Sequence, residues 1–477
     1  MSSVKKNIVY QTAYQLLNTA LPLITAPYLS RVLGASNLGI FSYTSSMVSY
    51  FTLFAMLGTM NYGTRSIAAT QDNKDQRSRV FCEIYALQLS VSGIVFVLYL
   101  AYLLLFCSRY KLIACIQIIE IFSCALNIGW LFFGLEKFKV TVTRNMIIKV
   151  ATVAMILLFV KDAGDLWKYV VIMLTGTAVS QLYLWFYVTK CVNLTKVTIK
   201  GVLRHLKPNI ALFMPLLAMS VYHTMDKTML GIMSSAEESG FYYNADRLIN
   251  IPTNIISGVG TVMLPRITAM INSNREQEGK RLFATSLDGT VMISIAMAFG
   301  IAAISEEFVP VFFGDGYTPC IMLCKVMAPI LIIKGFSLTV RTQYMIPFKM
   351  EKEYTKSVVV GAIVNVIANA ILIPYLGATG AALGTLLAEL SACIFLFIPV
   401  TKQINISKIF CNSFAYILFG LVMYALVRTV VSRFQVESIL KIACEITAGG
   451  LTYILLCMVF WKWSKNDLFT SALKSIK

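Results

Sequence analysis

Apolar blocks of about 20 residues recur from one end of the chain to the other. Each is long enough, at roughly 1.5 Å per residue, to cross a hydrocarbon layer of about 30 Å. A chain in lipid must satisfy its backbone hydrogen bonds internally, which leaves helices or a closed barrel. The apolar residues do not alternate in segments of about ten, so the barrel is excluded. A composition that is 57% hydrophobic and 13% charged, with mean hydropathy +0.73, agrees. The predicted fold class is an all-α polytopic membrane protein with about 14 transmembrane helices, in two pseudo-symmetric six-helix lobes plus two C-terminal helices.

The predicted helices cover about 8–30, 39–62, 81–106, 112–134, 141–160, 167–188, 209–231, 242–265, 283–304, 318–345, 356–374, 378–399, 409–428 and 438–461. The expected organisation is an N-terminal lobe over 1–188, a basic connector over 189–208, a C-terminal lobe over 209–400, and a last helix pair with a tail over 401–477. The connector carries Lys190, Lys196, Lys200, Arg204 and Lys207, and Ile199, Val202, Leu203 and Leu206 give it an amphipathic helical pattern.

Net charge is +18. Much of the excess sits in short loops on alternate sides of the helices, so topology accounts for it better than nucleic acid does. The positive-inside rule then puts both termini in the cytoplasm. The basic segment Met1–Asn7 leads into the first apolar run without a small-residue cleavage site, and that run is read as the first crossing. Eleven scattered cysteines read as small hydrophobes, and His205 and His223 are too isolated for a His-based metal centre.

One local pattern occurs twice. Ser30-Arg31-Val32-Leu33-Gly34 to Leu38-Gly39-Ile40-Phe41-Ser42-Tyr43 leads on to Asn61-Tyr62-Gly63-Thr64-Arg65. Asp226-Lys227 and Glu238-Ser239-Gly240-Phe241-Tyr242-Tyr243-Asn244 lead on to Leu264-Pro265-Arg266. Gly39 and Arg65 are 26 residues apart, as are Gly240 and Arg266. A duplicated hairpin predicts two related halves facing a common cavity.

Charges within spanning helices cost several kcal/mol unless they face water, a partner or the bundle interior. Arg247, about six residues into its helix, is the most informative. Arg31, Lys227 and Arg247 are candidates for an upper cavity and Arg65 and Arg266 for its lower mouth, with guanidinium forks suited to phosphate oxygens. Arg31, Arg65 and Arg266 are equally well placed to reach lipid headgroups as interfacial anchors. Lys334, near the middle of its helix, is a further candidate. Asp226, Asp246 and Glu389 are candidates either for a coupling proton or sodium ion or for structural pairing across helices. Glu120 is read as peripheral.

Pro22, Pro27, Pro215, Pro252, Pro265 and Pro329 interrupt helical hydrogen-bond ladders and are candidate kinks. Gly380 and Gly384, four apart, allow close helix contact. No nucleophile constellation, acid–base pair or nucleotide loop is present, which points to a transporter without covalent chemistry, cofactor or metal.

The fourteen-helix count, the Leu29–Gly34 to Leu38–Tyr43 hairpin and the Ala236–Asn244 echo resemble the polysaccharide flippases of the multidrug/oligosaccharidyl-lipid/polysaccharide exporter superfamily, over essentially the whole length. The resemblance implies a bacterial inner-membrane protein that moves an undecaprenyl-diphosphate-linked oligosaccharide to the outer leaflet by alternating access, for O-antigen, capsule or teichoic acid synthesis. It implies that Arg31, Arg65, Arg247 and Arg266 handle the diphosphate and that the last two helices border the lipid tail. The implied partners are the lipid-linked substrate, membrane lipids and polysaccharide polymerase or assembly proteins, with no nucleic acid and a monomeric working unit. Membrane potential, protons or sodium are the open energy sources. A peptidoglycan-precursor flippase is the alternative, and a cation-coupled drug or metabolite antiporter a further one.

Overall fold

A computed structural model describes residues 3–70, 73–404, 407–433 and 437–464. Asp72 in the second loop and the C-terminal tail after Ser464 lie outside the described residues. Every long element is a helix: α1 (Ser3–Met56), α2 (Thr59–Ala68), α3 (Lys74–Leu105), α4 (Lys111–Ile116), α5 (Ile118–Leu126), α6 (Gly129–Gly134), α7 (Phe138–Phe159), α8 (Leu166–Cys191), α9 (Ile199–Leu203), α10 (Leu206–Met233), α11 (Ala236–Asn272), α12 (Glu276–Phe313), α13 (Pro319–Val340), α14 (Glu351–Thr401), α15 (Ser407–Thr429) and α16 (Ser438–Ser464). Among the described residues, eleven segments are long and apolar enough to cross a membrane. Large apolar side chains are exposed along them, including Ile94, Val97, Ile371, Ile394, Leu418 and Leu451. In water that surface would aggregate; in lipid it is the solvated face.

Two segments, of 54 and 51 residues, are long enough for two crossings. Each breaks at a glycine with positive φ: α1 at Gly34 (φ 76°, ψ 169°) and α14 at Gly377 (φ 54°, ψ −129°). A Cβ is disfavoured in that region, so glycine is the residue that lets the chain turn there. The run predicted at 112–134 is also not one helix. It is divided into α4, α5 and α6, with Asn127 extended (φ −74°, ψ 104°) and its Oδ1 accepting from the Gly129 N–H at 3.0 Å. α5 packs against α1, α3 and α8, so Glu120 is not on a peripheral helix. The amphipathic pattern in the connector folds as α9, only five residues long.

Contacts divide the chain into two units, Met1–Gly240 and Phe241–Lys477. In the first, Ile67, Phe81, Ile84, Trp130, Leu131, Leu184 and Val188 form one core and Val48, Tyr99, Leu103 and Ile121 another. Here α10 packs along α1. In the second, Phe283, Leu287, Val291 and Ile295 of α12 meet Tyr344, Phe397, Tyr416 and Tyr453. A π-helical turn over Arg341–Met345 closes α13.

Candidate functional site

The duplicated glycine pattern produces a direct contact within the first unit. A Cβ built on Gly39 would stand 1.7 Å from the Ala236 carbonyl oxygen and 2.8 Å from the Gly240 nitrogen. One built on Gly240 would stand 1.9 Å from the Ala35 carbonyl oxygen. The Tyr43 ring lies over Gly231, where a Cβ would meet its Cδ2 at 2.0 Å. Two helices can touch backbone to backbone only where small residues line the contact, here Gly39 and Ala35 against Gly240 and Ala236. The crossing brings the segment after Gly34 in α1 against the start of α11. Below it, Thr228 of α10 donates to Ser46 Oγ (2.9 Å) in α1, and Asp226 is buried one turn fraction away.

The predicted charged residues are distributed between the units. Arg31, Arg65, Asp226 and Lys227 belong to the first; Arg31 and Arg65 are exposed, and Lys227 is half-buried. Asp246, Arg247, Arg266, Lys334 and Glu389 belong to the second, where Arg266 is exposed and Arg247 half-buried. The structure brings Lys334 and Glu389 to 3.8 Å, on α13 and α14, with both side chains largely buried. Asp246 accepts from Asn250 Nδ2 at 3.0 Å, one turn along its own helix. Pro22, Pro27, Pro215, Pro252, Pro265 and Pro329 all lie inside helices and end none of them.

Several buried polar groups were not read from the sequence. His205, judged isolated, is 5% exposed. Its Nδ1 lies 2.7 Å from the Tyr62 hydroxyl on α2 and its Nε2 3.0 Å from Glu83 on α3. Glu83 also receives Arg79 Nε at 3.1 Å and the Arg204 guanidinium. This network pins the connector between α8 and α10 to α2 and α3. Replacing Glu83 by alanine removes the shared acceptor and is expected to lower unfolding free energy by about 1–3 kcal/mol, read as a fall in the thermal midpoint of detergent-purified protein. Arg79 and Arg204 are exposed, which keeps the effect in that range.

Arg144, 7% exposed, is a deeper cation than most of those predicted, and donates to Asn145 Oδ1 through Nη2 at 2.7 Å. Asp288 and Glu445 are buried acids in α12 and α16. Asp288 accepts from Asn412 Nδ2 (3.1 Å) and from the Tyr416 hydroxyl (3.2 Å), joining α12 to α15. An acid inside an apolar run was the available signal for each, as it was for Glu389.

The fold has solved counterparts. It is similar to the lipid II flippase MurJ in an inward closed conformation, with TM-score 0.78 and 15% identity over 96% of this chain and 99% of that one. It is also similar to an inward-facing multidrug resistance transporter of the MATE family of the MOP superfamily, with TM-score 0.59 and 13% identity over 83% and 96%. Both likenesses are of fold: apolar helices with prolines inside them and charged residues among them, in the same arrangement. Residues 4–271 match the family described as Polysaccharide biosynthesis protein, and the chain belongs to that family. Among sequence relatives is the protein named "Putative O-antigen transporter" in Escherichia coli K12, 24% identical over 81% of this chain and 94% of that one.

Proposed function

We propose that the protein is an alternating-access flippase for a polyprenyl-diphosphate-linked saccharide in a bacterial inner membrane. Counting α1 and α14 as two crossings each, and α10 as one, makes fourteen, which supports two six-helix lobes, 1–188 and 209–400, with a C-terminal pair and both termini cytoplasmic. The observation that carries the reading is Arg247, half-buried in a spanning helix that Pro252 and Pro265 interrupt. A cation in a spanning helix is costly unless it faces water, a partner or the bundle interior, and a diphosphate is the anion that lipid-linked sugars carry. Arg31, Lys227, Arg65 and Arg266 would receive it at the two mouths, while the prenyl tail stays in lipid. Asp226, Asp246 and the Lys334–Glu389 pair are the groups on which proton or sodium coupling would act; membrane potential is the other source.

Two saccharides fit. The peptidoglycan precursor is favoured by the likeness to MurJ along nearly the whole fold. An O-antigen-type repeat unit is favoured by the family and by the E. coli relative. Proteoliposomes holding the purified protein and either fluorescent lipid II or an undecaprenyl-diphosphate oligosaccharide separate them: one lipid is expected to exchange leaflets at least tenfold faster than in empty vesicles. Exchange of neither, with transport of a lipophilic cation instead, would replace this function by antiport.

A further inference from the structure

Between α12, α15 and α16 of the second unit lies a cavity of about 380 Å3, lined almost entirely by apolar groups such as Met292, Met297, Met423 and Ile446. Its one carboxyl is Glu445, about 10 Å along α16 from the helix start at 1.5 Å per residue. Glu445 is 1% exposed, and neither carboxyl oxygen has a hydrogen-bond partner among the described residues. The other titratable lining group, Tyr453, donates its hydroxyl to the Met292 carbonyl at 2.9 Å and so does not serve Glu445.

An ionised carboxylate in such a place loses its hydration and receives no hydrogen bond in return, whereas the neutral acid loses far less. The charged groups that reach it come from three helices: Glu306 and Glu307 of α12, Arg428 of α15 and Lys441 of α16. They are occupied with each other. Arg428 Nη1 bonds Glu307 at 2.9 Å and its Nη2 meets Glu306; Lys325 of α13 holds Glu306 at 2.6 Å; and Lys441 Nζ lies 3.3 Å from Glu307 Oε1. Lys441 is also one helical turn from Glu445 on the same helix, the spacing at which side chains meet. One lysine thus stands between two carboxylates, only one of which it pairs with.

We infer that Glu445 is a proton-binding site that sets the partner of Lys441. With the proton on, the neutral carboxyl stays in the cavity and Lys441 ties α16 to Glu307 of α12. When the proton passes to outer water, the carboxylate draws Lys441 along α16, Glu307 keeps Arg428 alone, and the outer tie between α12 and α16 opens. The sign follows: the tie is held at pH below the Glu445 titration and is lost as pH rises through it. The inference does not depend on which lipid is carried, because both readouts are made without substrate.

The test uses the full-length protein in nanodiscs. Infrared difference spectra between low and high pH should show a protonated-carboxyl stretch that disappears as pH rises. Hydrogen exchange of the first turns of α16 should speed up over the same pH interval. E445Q should lack the stretch and keep exchange slow at every pH; E445D should keep a displaced stretch, which shows that the site folds and titrates. K441M should keep the stretch and lose the pH dependence of exchange. The proposal is overturned if the stretch persists in E445Q, if wild-type protein shows none, or if E445Q retains the pH-dependent exchange.

Discussion

Gly39→Ala is expected to cost about 3 kcal/mol, the upper end of what overpacking a tight interior costs, and Gly240→Ala about as much. The added Cβ would lie 1.7 Å from a carbonyl oxygen in one case and 1.9 Å in the other. Because the obstructing atom is backbone, no rotamer change relieves the clash, and α1 and α11 must separate. The double variant is expected to cost little more than either single one, since once the helices have parted the second methyl enters space already opened; neighbouring sites of this kind are not additive. Gly93→Ala is the control: no atom lies within 4 Å of its Cβ position, α3 is helical there, and alanine should be neutral or gain up to about 1 kcal/mol. Thermal midpoints of the four proteins in one detergent check the set. Equal losses at Gly39 and Gly93, or a double variant as costly as the sum, would remove the crossing as the cause.

The residues of that crossing stand out in the sequence, because Gly39 and Gly240 each precede an arginine by 26 residues, but the pattern predicts two halves facing a cavity and not the backbone contact between the two glycine segments. Pairings between long side chains leave no record in the sequence either. Lys334 and Glu389 both stood out as charges in apolar runs, yet nothing in the chain says that residues on α13 and α14 meet at 3.8 Å. His205 looked isolated because its partners, Tyr62 and Glu83, are more than 100 residues away. Asp288 and Glu445 carry the same signal as Glu389, an acid inside an oily helix, and that signal does not say which of the three meets a partner. Helix ends failed for a local reason. The hydropathy of α4–α6 is continuous, and the break at Asn127 depends on a side chain capping its own backbone. Gly34 and Gly377 mark turns between successive crossings, and the predicted helices end and restart on either side of each.

Arg247→Ala is expected to reduce leaflet exchange of the diphosphate lipid about 100-fold, about 2.8 kcal/mol at 1.4 kcal/mol per tenfold, while leaving the thermal midpoint within about a degree or two. The size is that of losing charge-assisted hydrogen bonds to an anion in a place with little water. Arg247→Lys should recover only part of the rate, because an ammonium keeps the charge and forfeits the fork that meets two phosphate oxygens together. Asp246 provides the contrast. It accepts from Asn250 on its own helix, and Asp246→Asn keeps that acceptor while removing a negative charge beside the arginine. If the arginine serves a structural pair, Asp246→Asn and Arg247→Ala should both lower the thermal midpoint and slow exchange together. If it serves the substrate, Arg247→Ala slows exchange alone, and the loss grows with the charge of the carried headgroup: large for a diphosphate lipid and smaller for a monophosphate one. Initial rates in proteoliposomes for the two lipids, with midpoints measured on the same preparations, separate these outcomes. An Arg247→Ala rate within twofold of wild type for both lipids would take Arg247 out of the transport path.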